Sequence, residues 1–415
     1  MHPRLALLLW STLALPVFAR NERSRVPAEV ESGLPASATA VGGRVFVDRN
    51  GNGLADPGER GLRGVSVSDQ EHVVVTGDDG SYRMPAVGGA GIVYVSVPTG
   101  YTVRGAFYRQ TSPGASGSDA VDFALVPAPL TRSLTFVHAS DTHISEASLP
   151  RTNRLRALID SIHPAFVLIT GDLVRDALRV SEKEATGYYD LFQREIARVV
   201  PPVWTVPGNH EAFGIERALS GVRADHPLYG RAMYRKYRGP DYYSFNAGGV
   251  HFVGLNTVDI DDTRYYGHVD SLQLEWLARD LAVLPPSTPI VTFNHIPFFS
   301  SSENVHGYSE APPAPTVITV QGRAQFRHTV ANAGDVLTRL RGHAYPLALA
   351  GHVHMRELLR YAGIDTRFEQ AAAVVGPTSG AGITFTSGIT VYRIVGGRID
   401  EGRFVPLGLD SLKSR

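Results

Sequence analysis

The sequence predicts an α/β domain over residues 131–406, preceded by a small all-β sandwich over residues 41–126. Three observations support this division. Short apolar segments without helical periodicity fill the first region, whereas long apolar strands alternate with amphipathic helices in the second. Between them, Pro127-Ala128-Pro129 is typical of a short stiff hinge. The length of 415 residues suits two or three domains.

Residues 1–19 have the features of a signal peptide, and residues 20–40 those of a polar linker. A weakly basic start precedes an apolar run from Leu5 to Leu15, and small residues lead up to Ala19. The run is short for a bilayer span, and no later segment reaches about 18 consecutive apolar residues. We therefore expect a periplasmic or secreted protein without a membrane span in the mature chain, a retained anchor being the alternative.

Composition limits the classes of function. Apolar residues make up 43% of the chain and charged residues 19%, which excludes global disorder. Forty basic and forty acidic residues give zero formal net charge, which argues against nucleic-acid or anionic-membrane binding through bulk charge. Cysteine is absent, so disulfides, thiolate metal sites and cysteine nucleophiles are excluded. Any metal site must therefore use nitrogen and oxygen ligands.

The small region contains five segments that predict strands, separated by Gly, Asp and Pro. They are Arg44–Val47, Val65–Val67, Val73–Val75, Ser81–Met84 and Val93–Val97. Alternation or continuous apolar character, without an intervening helix pattern, is typical of a β-sandwich.

One segment of the small region, Asp48–Glu59, matches the twelve-residue calcium loop. Oxygen donors occupy positions 1, 3, 5, 9 and 12, position 6 is Gly, and position 7 offers its backbone carbonyl. The expected ligands are Asp48, Asn50, Asn52, Leu54, Asp56 and Glu59. Because a strand and not a helix precedes the loop, we expect a calcium loop on a β-domain. A turn rich in Asn, Asp and Gly that binds no cation is the alternative.

In the large region, five apolar strands each lead into residues that bind metals well. Seven donors follow these strands: Asp141, His143, Asp172, Asn209, His295, His352 and His354. Sites in open α/β sheets form beyond the carboxyl ends of the strands, so these donors are expected to converge in one crevice. Seven donors suffice for two metals that share a carboxylate. Imidazole and oxygen ligands suit Mn, Fe, Zn or Co.

Over about residues 132–405 the chain resembles the calcineurin-like metallophosphoesterases, because five motif blocks occur in that superfamily's order. The blocks are Asp141-Thr142-His143, Gly171-Asp172, Gly208-Asn209-His210-Glu211, His295 and Gly351-His352-Val353-His354. The resemblance implies a four-layer α/β/β/α sandwich. The small region also resembles the N-terminal domains that precede some secreted phosphoesterases.

The resemblance also implies a distribution of ligands. One metal would bind Asp141, His143, Asp172 and His354, and the other would bind Asp172, Asn209, His295 and His352, so that Asp172 bridges the two metals. His210 would face the substrate without binding metal, and Glu211 would orient it. A hydroxide between the metals would attack phosphorus, and His210 would protonate or stabilise the leaving oxygen. The expected substrate is a small phosphoester, a diester being favoured over a monoester.

Four other classes of protein share some of these features. A purple acid phosphatase would need a tyrosine three residues after Asp172, where this chain has Arg175. We do not expect a two-domain nucleotidase, which would need a large domain after His354, where about sixty residues in largely strand-like segments follow. A cyclic-nucleotide phosphodiesterase shares all the ligand motifs and stays open. A non-catalytic surface binding protein would have no use for seven ligands and His210. The oligomeric state is not specified by the sequence.

Other features are expected to be structural. His138 and His251 lie within apolar strands, so we expect both to be buried and hydrogen-bonded. His328 lies near a loop border and is expected on the surface.

Residues 300–330 are rich in Ser and Pro, and we expect a long surface insertion of the kind that often shapes a site.

Overall fold

The structure is a computed structural model. It describes residues 40–85, 90–111, 120–130, 133–311 and 315–410. The expected signal peptide, residues 1–19, lies outside the described residues, as does the linker up to residue 39. Export therefore stays a prediction, which the N-terminal sequence of the native protein would check. Within the described part of the chain, no helix combines the length and the apolar character needed to cross a membrane.

The N-terminal region is a sandwich of two four-stranded sheets. Its strands are β1 (Ala40–Val47), β2 (Ser66–Ser68), β3 (Val73–Val75), β4 (Ser81–Pro85), β5 (Ile92–Val95), β6 (Tyr101–Val103), β7 (Tyr108–Gln110) and β8 (Phe123–Pro127). The strand orders are β4-β1-β8-β6 and β3-β2-β5-β7. Val45, Val67, Met84, Val93 and Phe123 are buried in the core. The β-sandwich fold expected for this region is thus confirmed, with three strands beyond the five that the pattern predicted.

The C-terminal region contains two six-stranded sheets and three separate hairpins. The strands of the first half are β9 (Ser133–Ala139), β10 (Phe166–Thr170), β11 (Val203–Val206), β12 (Tyr243–Ala247), β13 (Val250–Leu255), β14 (Val258–Asp261) and β15 (Arg264–Gly267). The later ones are β16 (Ile290–Asn294), β17 (Val317–Val320), β18 (Arg323–Phe326), β19 (Leu347–Ala350), β20 (Glu357–Leu359), β21 (Arg367–Gln370), β22 (Thr378–Gly380), β23 (Ile383–Phe385), β24 (Gly388–Val395), β25 (Arg398–Ile399) and β26 (Arg403–Pro406).

The helices lie between these strands. They are α1 (Leu149–Ile162), α2 (Glu182–Ile196), α3 (Arg217–Ser220), α4 (Ala232–Arg238), α5 (Ser271–Ala282), α6 (Ser302–His306) and α7 (Ala333–Leu340), with 3₁₀ turns at Glu146–Ser148 and Asn209–Glu211. Two of the longer helices begin where a side chain satisfies a free backbone N–H: Ser181 accepts from Glu184, and Asp270 accepts from Gln273.

The two large sheets pack face to face through aromatic side chains. The first has the order β11-β10-β9-β24-β25, with β26 also on β24, and the second has the order β12-β13-β16-β19-β21-β20. Phe136 on β9 lies 5.5 Å from Phe252 on β13, and Trp204 on β11 stacks on Phe245 of β12 at 4.1 Å. Stacked and edge-on ring pairs of this kind fill the space between the sheets.

Helices cover the outer faces of both sheets and complete four layers. Val167 and Ile169, which alternate with the inward-facing residues of β10, share one buried cluster with Leu155 of α1 and Phe192 of α2. On the other side, His251 of β13 contacts Asp280 of α5 at 2.8 Å. The four-layer α/β/β/α fold expected for this region is confirmed.

The small sandwich docks against the large domain through buried polar contacts. The Trp276 indole N–H donates to the Tyr94 hydroxyl at 3.0 Å, and the Tyr242 hydroxyl donates to the backbone carbonyl of Gln70 at 2.8 Å. Phe107 lies 4.9 Å from the ring of Trp204. Buried polar groups with complementary partners define one relative placement of the two domains more strictly than apolar contact alone.

The segment 300–330 has more regular structure than its composition suggests. It contains α6 and the hairpin β17–β18, whose residues Ile318 and Val320 pack against Tyr266. The alternation of buried Ile318 and Val320 with exposed Thr319 spans only four residues, and β18 is mostly exposed, so the segment as a whole shows too little periodicity to predict strands.

Candidate metal centre

The seven expected metal-binding residues lie where strands of both large sheets end. Five of them turn sharply there and adopt left-handed backbone angles: Asp141 (φ 53°), His143 (φ 38°), Asp172 (φ 48°), His352 (φ 74°) and His354 (φ 57°). They are half of the ten non-glycine residues with positive φ in the described part of the chain. Left-handed backbone angles are energetically unfavourable for residues other than glycine. Five such residues in one place therefore indicate a functional site.

The glycines of the motifs make room for the carboxylates. A Cβ atom at Gly208 would lie 2.2 Å from Oδ1 of Asp172, and one at Gly351 would lie 2.8 Å from Oδ2 of Asp141. Any side chain at either position would therefore displace an acidic residue of the centre.

One group of donors comprises Asp141, His143, Asp172 and His354, with one ligand atom from each lying within 4.8 Å of the others. His354 Nε2 lies 3.3 Å from Asp141 Oδ1 and 3.2 Å from His143 Nε2. His143 Nε2 lies 3.4 Å from Asp172 Oδ2. Unprotonated nitrogens and carboxylate oxygens that point at one another repel, unless a cation or a proton lies between them.

The second group comprises Asp172, His295 and His352, again within 4.8 Å. His295 Nε2 lies 3.3 Å from Asp172 Oδ1 and 3.2 Å from His352 Nδ1. Its other nitrogen, Nδ1, donates to the Thr170 carbonyl at 2.7 Å, which leaves Nε2 free for a metal. The side-chain oxygen of Asn209 lies 3.1 Å from His295 Nε2 and adds the fourth donor.

Asp172 joins the two groups through different oxygens. Oδ1 faces His295 and Oδ2 faces His143. Burial opposes ionisation, but the imidazoles of His295 and His210 hold the pKa of Asp172 well below its usual range. An ionised carboxylate with one oxygen on each side has the geometry of a bridging ligand.

The residues present fit a pair of divalent cations. Asp141 is fully buried, and its Oδ1 accepts no hydrogen bond of good geometry, although His354 Nε2 lies 3.3 Å away. A buried carboxylate oxygen that faces imidazole nitrogens in this way suits a shared cation. Burial and the neighbouring His210 lower the pKa of His143 to about 3, so this ring is neutral, as a ligand must be. Despite burial, Asp172 raises the pKa of His295 to about 9, so a cation there would displace a proton.

His210 lies beside the metal ligands. Its ring is perpendicular to that of His143 at 4.5 Å, and its Nε2 lies 3.9 Å from Asp172 Oδ2. Nδ1 lies 2.6 Å from the backbone carbonyl of Arg175, which requires a proton on that nitrogen. The side chain keeps 22% of its surface exposed, so His210 is more accessible than the buried carboxylate of Asp172 beside it.

The orienting role expected for Glu211 is corrected by its contacts. Glu211 is buried, and its carboxylate accepts backbone N–H groups of Leu173 (2.8 Å), Val174 (3.0 Å) and Gly208 (2.6 Å). These bonds tie the loop after β10 to the loop after β11. The ring of His210 is oriented instead by the Arg175 carbonyl, a backbone group that has no sequence signature.

His328 is the residue that sequence reasoning missed. It was expected on the surface, but it is half-buried and its Nδ1 lies 2.8 Å from Nε2 of His352. Burial and the neighbouring Arg327 lower its pKa to about 4, so the ring is neutral. No motif spacing links it to His352, so no signal in the sequence could have found it. The expected burial and hydrogen bonding of His138 and His251 are confirmed.

The loop expected to bind calcium is closed by its own hydrogen bonds. The buried carboxylate of Asp48 accepts the backbone N–H of Gly53 at 2.8 Å, and Glu59 accepts that of Arg49 at 2.7 Å. The side-chain amides of Asn50 and Asn52 both donate to Asp56. In the described residues, the clusters of His and acidic side chains that could hold a metal are those at the strand ends. Calcium binding by this loop stays a prediction.

Two family models match the chain. The model described as calcineurin-like phosphoesterase matches residues 134–356, which is more than half of the chain. The model described as the N terminal of calcineurin-like phosphoesterase matches residues 49–128.

Among curated proteins, the chain is similar to three phosphodiesterases. A probable cyclic nucleotide phosphodiesterase of Rhodococcus erythropolis is 26% identical over 247 residues, covering 55% of this chain and 67% of that protein. A 3′,5′-cyclic-nucleotide phosphodiesterase of Nostoc is 27% identical over 39% of this chain and 51% of that protein. A cAMP/cGMP dual specificity phosphodiesterase of Mycobacterium tuberculosis is 24% identical over 57% of this chain and 66% of that protein. The chain thus spans between about half and two thirds of the length of these relatives.

Among solved structures, a dimetal phosphatase from Danio rerio is similar over 65% of this chain and 96% of its own, with a TM-score of 0.42 and 16% identity.

Proposed function

Because the chain belongs to the calcineurin-like phosphoesterase family, a family of metal-dependent phosphoric ester hydrolases, we propose that it hydrolyses a phosphodiester at a dinuclear metal centre. The observation that carries this proposal is the placement of Asp172, whose two carboxylate oxygens face two separate groups of ligands. A carboxylate placed in this way can hold two metals close enough together to act on one phosphoryl group.

The ligands divide between the two metals as the geometry groups them. Asp141, His143, Asp172 and His354 would hold one metal, and Asp172, Asn209, His295 and His352 the other. Nitrogen and oxygen ligands of this kind suit Mn, Fe, Zn or Co. When bound, two such cations supply an activated water and neutralise charge on the phosphoryl oxygens.

His210 is the residue of this chain that would act on the leaving group. Its Nδ1–H is held by the Arg175 carbonyl, so that the ring cannot turn and Nε2 stays directed at the centre. A proton held on Nε2 can pass to the leaving oxygen as the bond to phosphorus breaks. Because His210 is not needed to complete either group of ligands, it is free for this role.

Cyclic nucleotides are the class of diester that we place first. The three similar curated proteins described above carry that activity in their names. A non-catalytic binding role is less well supported, because a buried carboxylate at Asp141 and five ligand residues with strained backbone are costly features without a metal to bind.

A substrate panel tests this proposal. We expect the protein, stripped of metal and reloaded with Mn²⁺, to hydrolyse bis-p-nitrophenyl phosphate and a 3′,5′-cyclic nucleotide faster than p-nitrophenyl phosphate. Repeating the panel with Zn²⁺, Co²⁺ and Fe²⁺ identifies the productive metal. A preference for the monoester would contradict the diester assignment. If none of the metal-loaded forms hydrolyses any substrate of the panel, the non-catalytic binding role is favoured.

Calcium binding by the loop Asp48–Glu59 is a separate part of the proposal, supported by its donor spacing. Binding to the folded state alone stabilises by about 2.7 kcal/mol at a hundredfold excess over Kd. We expect Ca²⁺, added to full-length protein with its transition metals in place, to raise the melting temperature. The rise should vanish in Asp48→Asn and persist in Asp78→Asn, an exposed acidic residue of the same domain. An equal rise in both variants would contradict this site.

A further inference from the structure

We propose that His328 is a positioning residue for the metal ligand His352: it accepts a hydrogen bond from that ring and so determines which nitrogen of His352 faces the metal. The inference rests on the metal centre of the proposed function and not on the identity of the substrate.

The contact between the two rings has the geometry of a hydrogen bond. Nδ1 of His328 lies 2.8 Å from Nε2 of His352. The ring planes differ by only 23°, and the centroids are 5.0 Å apart. Because the centroid separation is so much larger than the distance between the nitrogens, the rings meet edge to edge and not face to face. The N–H of one ring therefore points along the plane towards the lone pair of the other.

The direction of this bond follows from the other nitrogen of His352. Nδ1 of His352 lies 3.2 Å from Nε2 of His295, within the second group of ligands. A nitrogen that binds a metal carries no proton, so the proton of His352 must be on Nε2. Nε2–H then donates, and Nδ1 of His328 accepts.

The hydrogen-bond partner of His352 differs from the usual partner of a metal-binding histidine. Ligand histidines commonly donate their second N–H to a carboxylate, a backbone carbonyl or water. His295 follows that rule, since it donates to the Thr170 carbonyl. A neutral imidazole at His328 holds the ring of His352 without adding negative charge to the centre, which already contains Asp141 and Asp172.

The backbone around His328 is anchored on both sides. The N–H of Arg327 donates to the Thr316 carbonyl at 3.0 Å, and that of Val330 donates to the Pro297 carbonyl at 2.9 Å. The Arg327 guanidinium lies over the ring of Tyr265 at 4.2 Å, and Tyr265 also contacts the ring of His352 edge-on. The chain that leaves the β17–β18 hairpin thus delivers His328 to the metal centre in one orientation.

Metal titration of the full-length protein tests this role without any substrate. Metal-stripped wild type, His328→Ala and His328→Asn would be titrated with Mn²⁺ by calorimetry. Loss of such a partner typically weakens metal binding by about 10–100-fold. We expect His328→Ala to weaken one of two metal equivalents by that factor and to leave the other unchanged. His328→Asn should recover most of the affinity, because its side-chain oxygen can take the place of Nδ1 as acceptor.

The control is His163→Asn, a substitution of an exposed histidine at the end of α1, which should bind both equivalents as the wild type does. Wild-type affinity for both metals in His328→Ala would overturn the proposal. So would equal weakening in His328→Ala and His328→Asn, because packing and not the acceptor would then be responsible. Should His328→Ala fail to fold, the Mn²⁺ affinities of His328→Asn and His328→Gln are compared instead. We expect the Asn variant, whose side-chain oxygen takes the place of Nδ1, to bind the weakened equivalent more tightly than the Gln variant. Equal affinities would overturn the proposal. A protein that binds metals as expected but hydrolyses no phosphoester would contradict the proposed function and leave this inference standing.

Discussion

We expect Asp172→Asn to remove nearly all activity and to weaken metal binding at both metal sites. The substitution replaces one of the two oxygens by an amide N–H₂, which cannot bind a cation. It also removes the negative charge that both groups of ligands share. Stabilisation of transition-state charge by metals lowers the activation free energy by about several kcal/mol. Because each 1.36 kcal/mol of activation free energy changes the rate about tenfold, turnover should fall by about 10³-fold or more.

Elemental analysis of the purified protein and its turnover of bis-p-nitrophenyl phosphate measure the two effects. Asp160→Asn, at an exposed position of α1, is the matched control and should keep both metals and full activity. Two metals per chain in Asp172→Asn would show that the bridging role is wrong. The backbone N–H of His210, which donates to Asp172 Oδ1 at 2.9 Å, can still donate to an Asn oxygen, so the fold should survive.

His210→Ala is expected to leave the metal content intact and to slow hydrolysis by an amount that depends on the leaving group. His210 completes neither group of ligands, and its Nε2 is directed at the centre from 3.9 Å. An alkoxide leaves poorly and needs a proton, whereas p-nitrophenolate leaves well unaided. General-acid assistance is worth about 10²–10⁴-fold where it is needed. The loss should therefore be far larger for an alkyl phosphodiester or a cyclic nucleotide than for a p-nitrophenyl ester.

The comparison requires both substrates to be assayed with the same metal-loaded preparations of wild type, His210→Ala and the control His163→Asn. Equal losses on the two esters would reject the acid role and point to positioning of the phosphate. Loss of metal in His210→Ala would instead make His210 a ligand. The structure does not favour the ligand role, because His210 Nδ1 is held by the Arg175 carbonyl and His210 belongs to neither group of ligands.

The residues that are candidates for the chemistry could be predicted from local patterns. Each block of donors directly follows an apolar strand, and the carboxyl ends of strands meet at one edge of a sheet. Asp141 and Asp172 are therefore expected together, although they follow different strands, and the structure brings them to one centre. The amphipathic helices expected between the strands are present, and Leu155 and Ile159 on one face of α1 are buried.

What surrounds these donors was decided only by tertiary structure. Glu211 adjoins His210 in the chain, yet its carboxylate binds the backbone of Leu173 and Val174, because the loops after β10 and β11 lie side by side.

His328 reaches His352 from an insertion whose own pattern predicted no strands, and Gln70 of the small domain bonds to Tyr242 of the large one. Strand periodicity and motif spacing report which residues share one element or one turn, over a few residues of chain. A contact between segments that are far apart in the chain depends on how whole elements pack. The free energy of that packing comes from many core residues, so no single motif predicts the contact.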